Sequence, residues 1–161
     1  MTAARSSIVV RAAVLAIAAL QIAIGTACRS GVPQPAALDT TNDACGTCRM
    51  VVSDARFASQ IVAPHEEPVF FDDLGCLAGY LERTTALPRG AMIYVADHRT
   101  REWVPAERAV YTRLRDPAAP MGSPIIAHGS TASRDADPDA SPGAPVDLRD
   151  VFPSGLHGGT R

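Results

Sequence analysis

The central part of the chain switches between two hydrophobic periodicities. From Phe57 to Val62, alternate side chains fall on opposite faces of an extended segment, which is the pattern of a short β-strand. Brief apolar stretches of similar length occur on both sides of this segment. Together they predict strands at residues 50–52, 57–62, 69–71, 92–96, 103–104 and 124–128, with residues 146–152 closing the fold.

One segment has the period of a helix. Its apolar positions follow the i, i+3, i+4, i+7 spacing of an amphipathic helix: Leu74, Leu77, Ala78 and Leu81. The preceding Asp72-Asp73 pair is typical of a helix N-cap, and Pro88 to Gly90 should end the helix. Residues 106–111 are also helix-prone. Strands, one clear helix and further strands predict an α+β fold in two similar halves, of which the second is reduced.

The first 27 residues have the pattern of a secretory signal peptide. Arg5 and Arg11 precede an apolar run from residue 12 to 24, and small residues follow at 25–27. Because the next residue is Cys28, these small residues resemble a bacterial lipobox, in which the cysteine is acylated and becomes the mature N-terminus. Ordinary signal cleavage, which leaves Cys28 free, is the alternative. Both interpretations place the protein outside the cytoplasm.

Three further segments lack any hydrophobic periodicity. Residues 28–42 contain Pro33 and Pro35 and are expected to form the lipid anchor and a flexible tether. Residues 131–145, rich in alanine, serine, aspartate and proline, are expected to form a solvated loop without chemistry. Residues 156–161 are expected to fray. The folded domain is therefore predicted to span residues 43–155.

Composition narrows the function classes. The 161 residues carry a formal net charge of −2, and all fifteen basic residues are arginine. A balance this close to neutral argues against nucleic-acid binding, which requires a concentrated basic face. No stretch approaches the roughly 20 apolar residues of a transmembrane helix. Four cysteines are too few for a disulfide scaffold, so their chemistry has to be considered individually.

Two cysteine patterns overlap at Cys48. The first, Cys45-x-x-Cys48, suggests a redox dithiol or half of a zinc site, but the residues that follow have β character, and a zinc site needs further ligands. The second is Cys48-x-Met50. In an extended segment these two side chains share a face, and a thiolate with a thioether is a soft donor pair that selects Cu(I). The alternative is a structural Cys45–Cys48 disulfide beside a core Met50.

Several motifs occur in the order found in one family. They are Cys45-x-x-Cys48-x-Met50, residues 57–61, residues 70–77, residues 80–81, residues 94–97, residues 106–111 and residues 120–123. This run, over residues 43–130, resembles the nitrous-oxide reductase accessory protein (NosL) family. The resemblance implies a fold of two ββαβ-type halves similar to part of organomercurial lyase. It also implies a lipid-anchored periplasmic protein that binds Cu(I) and helps deliver copper to nitrous-oxide reductase, with the membrane and the reductase assembly machinery as partners.

The resemblance identifies Cys48 and Met50 as the ligand pair of the family. Met121, in the Pro120-Met121-Gly122 loop, is expected to be the third ligand, and His128 is a weaker candidate. Cys76 is expected to be a buried small side chain at the helix start, although Cys45 or Cys76 could add a sulfur. His65 and His98 lie beside turns and are expected at the surface.

Enzymatic motifs are missing from the sequence. There is no evident Ser-His-Asp set, no glycine-rich phosphate loop and no His-Glu-x-x-His sequence. A metallochaperone rather than an enzyme is therefore expected. Two alternatives remain open. One is a thiol-dependent or organomercurial-lyase-like enzyme with Asp72 or Asp73 as proton donor, and the other is a metal-free interaction lipoprotein with a structural disulfide.

Overall fold

Two antiparallel sheets build the domain, and each contains the three strands of one β-β-α-β run of chain. The computed structural model describes residues 31–116 and 119–157, so the signal peptide and Cys28 lie outside the described residues. The first sheet has the strand order β2-β1-β3-β4 and the second the order β6-β5-β7. The first run comprises β1 (Ser59–Val62), β2 (Val69–Phe71), α1 (Leu74–Arg83) and β3 (Met92–Ala96), followed by β4 (Trp103–Pro105). The second comprises β5 (Val110–Arg113), β6 (Ile125–His128), α2 (Thr131–Asp135) and β7 (Ala144–Val146), followed by α3 (Leu148–Val151).

This architecture agrees with the mixed α+β class expected from the sequence. The second half is reduced, since its helix α2 has five residues whereas α1 has ten. Some predicted elements differ. Residues 50–52 form only an isolated bridge, Ala44 with Val51, and the helix-prone residues 106–111 form a 3₁₀ turn (Ala106–Arg108) that runs into β5. None of the described helices has both the length and the apolarity needed to cross a bilayer.

Helix α1 forms as predicted and positions one of the cysteines. Its N-cap is Asp73, and its last turn is closed by the Thr84 N–H, which donates to the Leu81 carbonyl at 3.3 Å. The buried face carries Leu74, Cys76, Leu77 and Leu81. Because these positions follow the helical period, Cys76 faces the core beside the leucines and not the solvent.

The central strand β1 is covered on both faces, which buries the amide of Gln60. The Gln60 Oε1 accepts from the Ala36 N–H at 2.8 Å, and its Nε2 donates to the Ala36 carbonyl at 3.1 Å. The Tyr94 hydroxyl donates to the Pro33 carbonyl at 2.6 Å. Residues 33–36 therefore pack on the sheet, and the prediction that the whole of 28–42 is a flexible tether is wrong for them. A buried amide must be hydrogen-bonded, and this backbone supplies its partners.

The prediction of a solvated loop at residues 131–145 is also wrong. The segment forms α2, a 3₁₀ turn (Pro138–Ala140) and β7, which pairs with β5. Ser133, Asp137 and Ala140 are buried. Capping explains how so polar a sequence becomes ordered: the Ser130 Oγ accepts from the Ser133 N–H at 3.1 Å, and the Asp137 carboxylate accepts from the Asp139 N–H at 3.0 Å.

The C-terminal residues are ordered further than expected. Leu156, assigned to the frayed tail, is buried in the main core, and the Leu87 N–H donates to the His157 carbonyl at 3.3 Å. Fraying is therefore the wrong prediction for residues 156 and 157, because the apolar side chain of Leu156 packs in the main core. Residues 158–161 lie outside the described residues.

Candidate metal centre

The segment from Cys45 to Met50 is a tight loop and not an extended strand. The Cys45 N–H donates to the Met50 carbonyl at 2.7 Å, and the Arg49 N–H donates to the Cys45 carbonyl at 3.0 Å. Arg49 has a φ of 67°, in the left-handed region. Cys48 and Met50 therefore do not share one face of a strand, and that prediction is wrong for this segment. The loop instead brings Cys48 back toward Cys45.

The loop is attached to both β2 and α1. The Gly46 N–H donates to the Phe70 carbonyl at 2.8 Å, and the Thr47 hydroxyl donates to the Cys76 carbonyl at 2.7 Å. The approach to β2 requires glycine, because a Cβ at Gly46 would lie 2.6 Å from the Val69 Cγ1. These contacts place the loop directly against the first turn of α1.

The result is a group of three thiols: Cys45, Cys48 and Cys76. Their sulfur atoms all lie within 4.8 Å of one another, and all three cysteines are free. Cys45 and Cys76 are buried, whereas Cys48 is half-buried. An ion bonded to three sulfurs at about 2.3 Å in one plane would hold those sulfurs about 4 Å apart. Only a small adjustment would let this group bind one soft ion.

The ionisation states of the three thiols differ. Burial raises the pKa of the Cys45 thiol, but N–H groups of Cys48, Asp72 and Thr47 directed at its sulfur outweigh this, and its pKa lies below the ordinary value. Burial, with the adjacent Cys45, raises the pKa of the Cys48 thiol. The same two causes raise the pKa of Cys76 strongly, so the helix N-terminus does not make this thiol acidic. Cys45 is therefore the sulfur that most readily carries negative charge.

Two carboxyl groups, those of Asp72 and Asp73, adjoin the thiols in different surroundings. The Asp73 carboxylate accepts from the Cys76 N–H at 2.8 Å and from the Ser123 N–H at 3.1 Å. Burial and the neighbouring Asp73 charge raise the pKa of Asp72, and the Ser53 N–H partly offsets this. Neither carboxyl forms a hydrogen bond to a thiol among the described residues. The Asp72 Oδ1 is buried without a hydrogen-bond partner among the described residues, and its raised pKa favours the protonated form of this carboxyl.

The two predicted methionine ligands are both exposed. Met50 is 58% exposed at the end of the cysteine loop, and Met121 is 46% exposed in the loop before β6. The Asp73 carboxylate joins the Met121 loop to α1, since it binds both the Cys76 and the Ser123 backbone. Met50 thus directly follows the cysteine loop, Met121 lies on a loop that is joined to the first turn of α1, and both side chains are accessible from solvent.

The histidine candidates are placed differently from the expectation. His65 is exposed, as expected, but His98 and His128 are buried and share hydrogen bonds with Asp137, apart from the thiol group. His128 therefore does not join the cysteines as a fourth ligand.

Cys76 is the residue that the sequence interpretation undervalued. It is buried, as predicted, but its sulfur also belongs to the thiol group. The available signal was its position: a cysteine three residues after the N-cap Asp73 lies in the first turn of a helix, where a preceding loop can reach it.

Comparison with known proteins gives two matches. The sequence model of the NosL family matches residues 35–153. The crystal structure of the copper chaperone NosL from Shewanella denitrificans superposes with a TM-score of 0.56 at 16% identity, over 76% of this chain and 98% of that one. At this identity the superposition shows a shared fold. No curated protein is a significant match to the chain.

Proposed function

Because the chain belongs to the NosL family, we propose that it is a metallochaperone, not an enzyme, that binds Cu(I) and helps deliver copper for the maturation of nitrous-oxide reductase. The group of three free thiols is the observation that carries this proposal. Thiolates and thioethers are soft ligands that favour Cu(I) over harder divalent ions. The solved structure with the same fold is named a copper chaperone, which supports this assignment.

The proposed ligands divide into an inner and an outer set. Cys45 and Cys76 are buried and provide the inner sulfurs, of which Cys45 is the most acidic. Cys48 lies at the boundary with solvent, and Met50 and Met121 are the outer thioether ligands. Cu(I) binds the thiolate form of cysteine, so binding displaces thiol protons and Cu(I) affinity should rise with pH.

Release of copper requires a route for an incoming ligand. The side chains of Met50 and Val51, directly after the cysteine loop, and of Met121, on the loop that Asp73 joins to α1, are exposed and apolar. A partner protein could approach there and replace the outer sulfurs before the inner ones. Such stepwise exchange allows tight binding without trapping the ion.

Copper transfer to the reductase is the direct test of the proposed function. The Cu(I)-loaded protein should restore copper content and activity to copper-free nitrous-oxide reductase faster than the same amount of Cu(I) bound to glutathione. Mixing under anaerobic conditions, followed by desalting and metal analysis of the reductase, measures the difference. Equal rates from both copper sources would contradict a delivery role.

The thioether ligands should contribute less than the thiolate. Met50→Leu and Met121→Leu preserve side-chain size and apolarity, and the residues are exposed, so the fold should be unchanged. Each should lower Cu(I) affinity by about tenfold, equivalent to about 1.4 kcal/mol, in a competition titration with a Cu(I) chelator.

Met92→Leu, on β3, is the matched control for both substitutions. Zinc binding should not respond to either thioether substitution, since zinc prefers nitrogen, thiolate and carboxylate ligands. If Met50→Leu and Met121→Leu both bind Cu(I) as Met92→Leu does, neither thioether is a ligand.

We further propose that the mature chain is lipid-anchored through Cys28 at the periplasmic or extracytoplasmic face of a membrane. The lipobox-like residues before Cys28 support this. A membrane anchor raises the effective concentration of the chaperone near a membrane-bound assembly partner. Cys28→Ala should move the protein from the membrane fraction to the soluble fraction or block its processing. A Cys28→Ala protein that is processed normally and still sediments with membranes would refute the anchor.

A further inference from the structure

A second group of metal-binding side chains lies apart from the thiols. It consists of His98, just after β3, His128, at the end of β6, and Asp137, between α2 and the 3₁₀ turn that follows it. The His98 Nδ1 lies 2.7 Å and the His128 Nε2 2.9 Å from the same atom, the Asp137 Oδ2. All three residues are at least 95% buried, with exposed fractions of 3%, 0% and 5%. Two imidazoles and one carboxylate therefore converge on a single point.

One ring nitrogen of this group has no partner in the described part of the chain, and the carboxylate of the group is charged. The second ring nitrogen of His128, Nδ1, is also buried and has no hydrogen-bond partner among the described residues. Binding of a metal at Nε2 would place the proton on Nδ1, where no described residue accepts it, so this buried nitrogen does not distinguish a metal ligand from a structural histidine. The carboxylate is the anionic centre of the group: burial raises the pKa of Asp137, but hydrogen bonds from His128 and His98 outweigh this and lower it.

An ion could reach this group from the surface. Asp137 also lines an open cleft of about 320 Å³, together with Thr112, Arg134, Asp135 and Ala140. The exposed Asp135 at this cleft adds a second carboxylate near the entrance, although Arg134 is paired with it at 2.6 Å. Asp137 is thus the member of the group that borders a surface cleft.

We propose that His98 Nδ1, His128 Nε2 and Asp137 Oδ2 bind a divalent first-row metal ion, Zn(II) or Cu(II), at a site separate from the thiol group. Two imidazoles and one carboxylate form a donor set that suits both ions. Binding requires a lone pair on each of the two nitrogens, so the proton now donated to Asp137 moves to the other ring nitrogen or to solvent. The thiols can also bind Zn(II), so binding at the second site is identified by its response to substitution of Asp137 and by nitrogen and oxygen ligation without thiolate absorption.

The test measures the binding of Co(II) and Zn(II) to the protein after removal of its signal peptide. Bound Co(II) should show the visible spectrum of nitrogen and oxygen ligation without the near-ultraviolet charge-transfer absorption of a thiolate complex. Asp137→Asn and His98→Gln should lower Zn(II) affinity by at least about a hundredfold, since even loss of an outer-shell partner costs 10- to 100-fold. Asp139→Asn, an exposed carboxylate of the same segment, is the matched control and should not change the affinity. Binding that is insensitive to Asp137→Asn, or that occurs only with thiolate absorption, overturns the proposal.

A measurement on the unsubstituted protein keeps the test decisive if these variants do not fold. Zn(II) should shift the imidazole ¹⁵N resonances of His98 and His128 but not those of the exposed His65 and His157. Cu(II) binding would appear as nitrogen hyperfine structure in electron paramagnetic resonance. No response of His98 and His128 to either ion overturns the proposal. None of these outcomes depends on Cu(I) binding at the thiols.

Discussion

Cys48→Ser should lower Cu(I) affinity by at least about a hundredfold, equivalent to about 2.7 kcal/mol. The substitution replaces a soft thiolate with a hard, poorly ionised hydroxyl of similar size. Cys48 is only half-buried, so the fold should tolerate serine there. It also lies within 4.8 Å of both other thiols, so its loss leaves only two cysteine ligands. A competition titration with a Cu(I) chelator under anaerobic, reducing conditions gives the affinity.

Interpretation of Cys48→Ser requires two comparisons. Thermal unfolding of the variant should be close to that of the wild type, which separates ligand loss from misfolding. Cys45→Ser should also lower the affinity, but Cys45 is fully buried and its backbone closes the loop, so its stability should fall as well. Wild-type affinity in Cys48→Ser would end the proposal of copper binding at the thiol group.

Asp73→Ala should lower the free energy of unfolding by about 2–4 kcal/mol. It removes the N-cap of α1, which contributes about 1 kcal/mol, and it leaves the buried Ser123 N–H without a partner, at a cost of about 1–3 kcal/mol. Asp73→Asn should be intermediate, because its amide has one oxygen that can accept from the Cys76 N–H but no second acceptor for Ser123. Denaturant unfolding monitored by circular dichroism measures all three proteins.

Asp147 provides the matched control for Asp73. It is also the N-cap of a helix, α3, but it is exposed and its side chain makes no capping hydrogen bond. Asp147→Ala should therefore change stability by no more than about 0.5 kcal/mol. Equal destabilisation by Asp73→Ala and Asp147→Ala would show that the bond between α1 and the Met121 loop contributes little.

Local patterns of the sequence predicted the elements that depend on neighbouring residues. Helix α1 formed as expected because its apolar positions follow the helical period and Asp73 caps it. Strand β1 was recognised by alternation, although its start at Ser59 differs from the expected Phe57. Local patterns did not predict the order of polar residues whose partners are distant in the sequence. Asp137 lies 39 residues after His98, and no local period indicates that the two side chains meet.

The thiol group shows the same limit. The sequence identified Cys48 as a candidate ligand, but its proximity to Cys76 depends on a bend at Arg49 and on hydrogen bonds from the loop to β2 and α1. An extended conformation was the expected one because β-branched and apolar residues follow the cysteines. Tertiary contacts overrode that preference. The three-sulfur arrangement therefore became apparent only in the folded chain.

The pairing of Gln60 with Ala36 limits how far the chain can be shortened by proteolysis. The amide of Gln60 is fully buried, and the Ala36 backbone provides both of its hydrogen bonds. A protease that removed everything before residue 37 would leave a donor and an acceptor of the central strand unpaired, each at a cost of about 1–3 kcal/mol. Cleavage closer to the N-terminus, before residue 33, would leave this pairing intact. Residues 33–36 therefore belong to the domain that must survive processing.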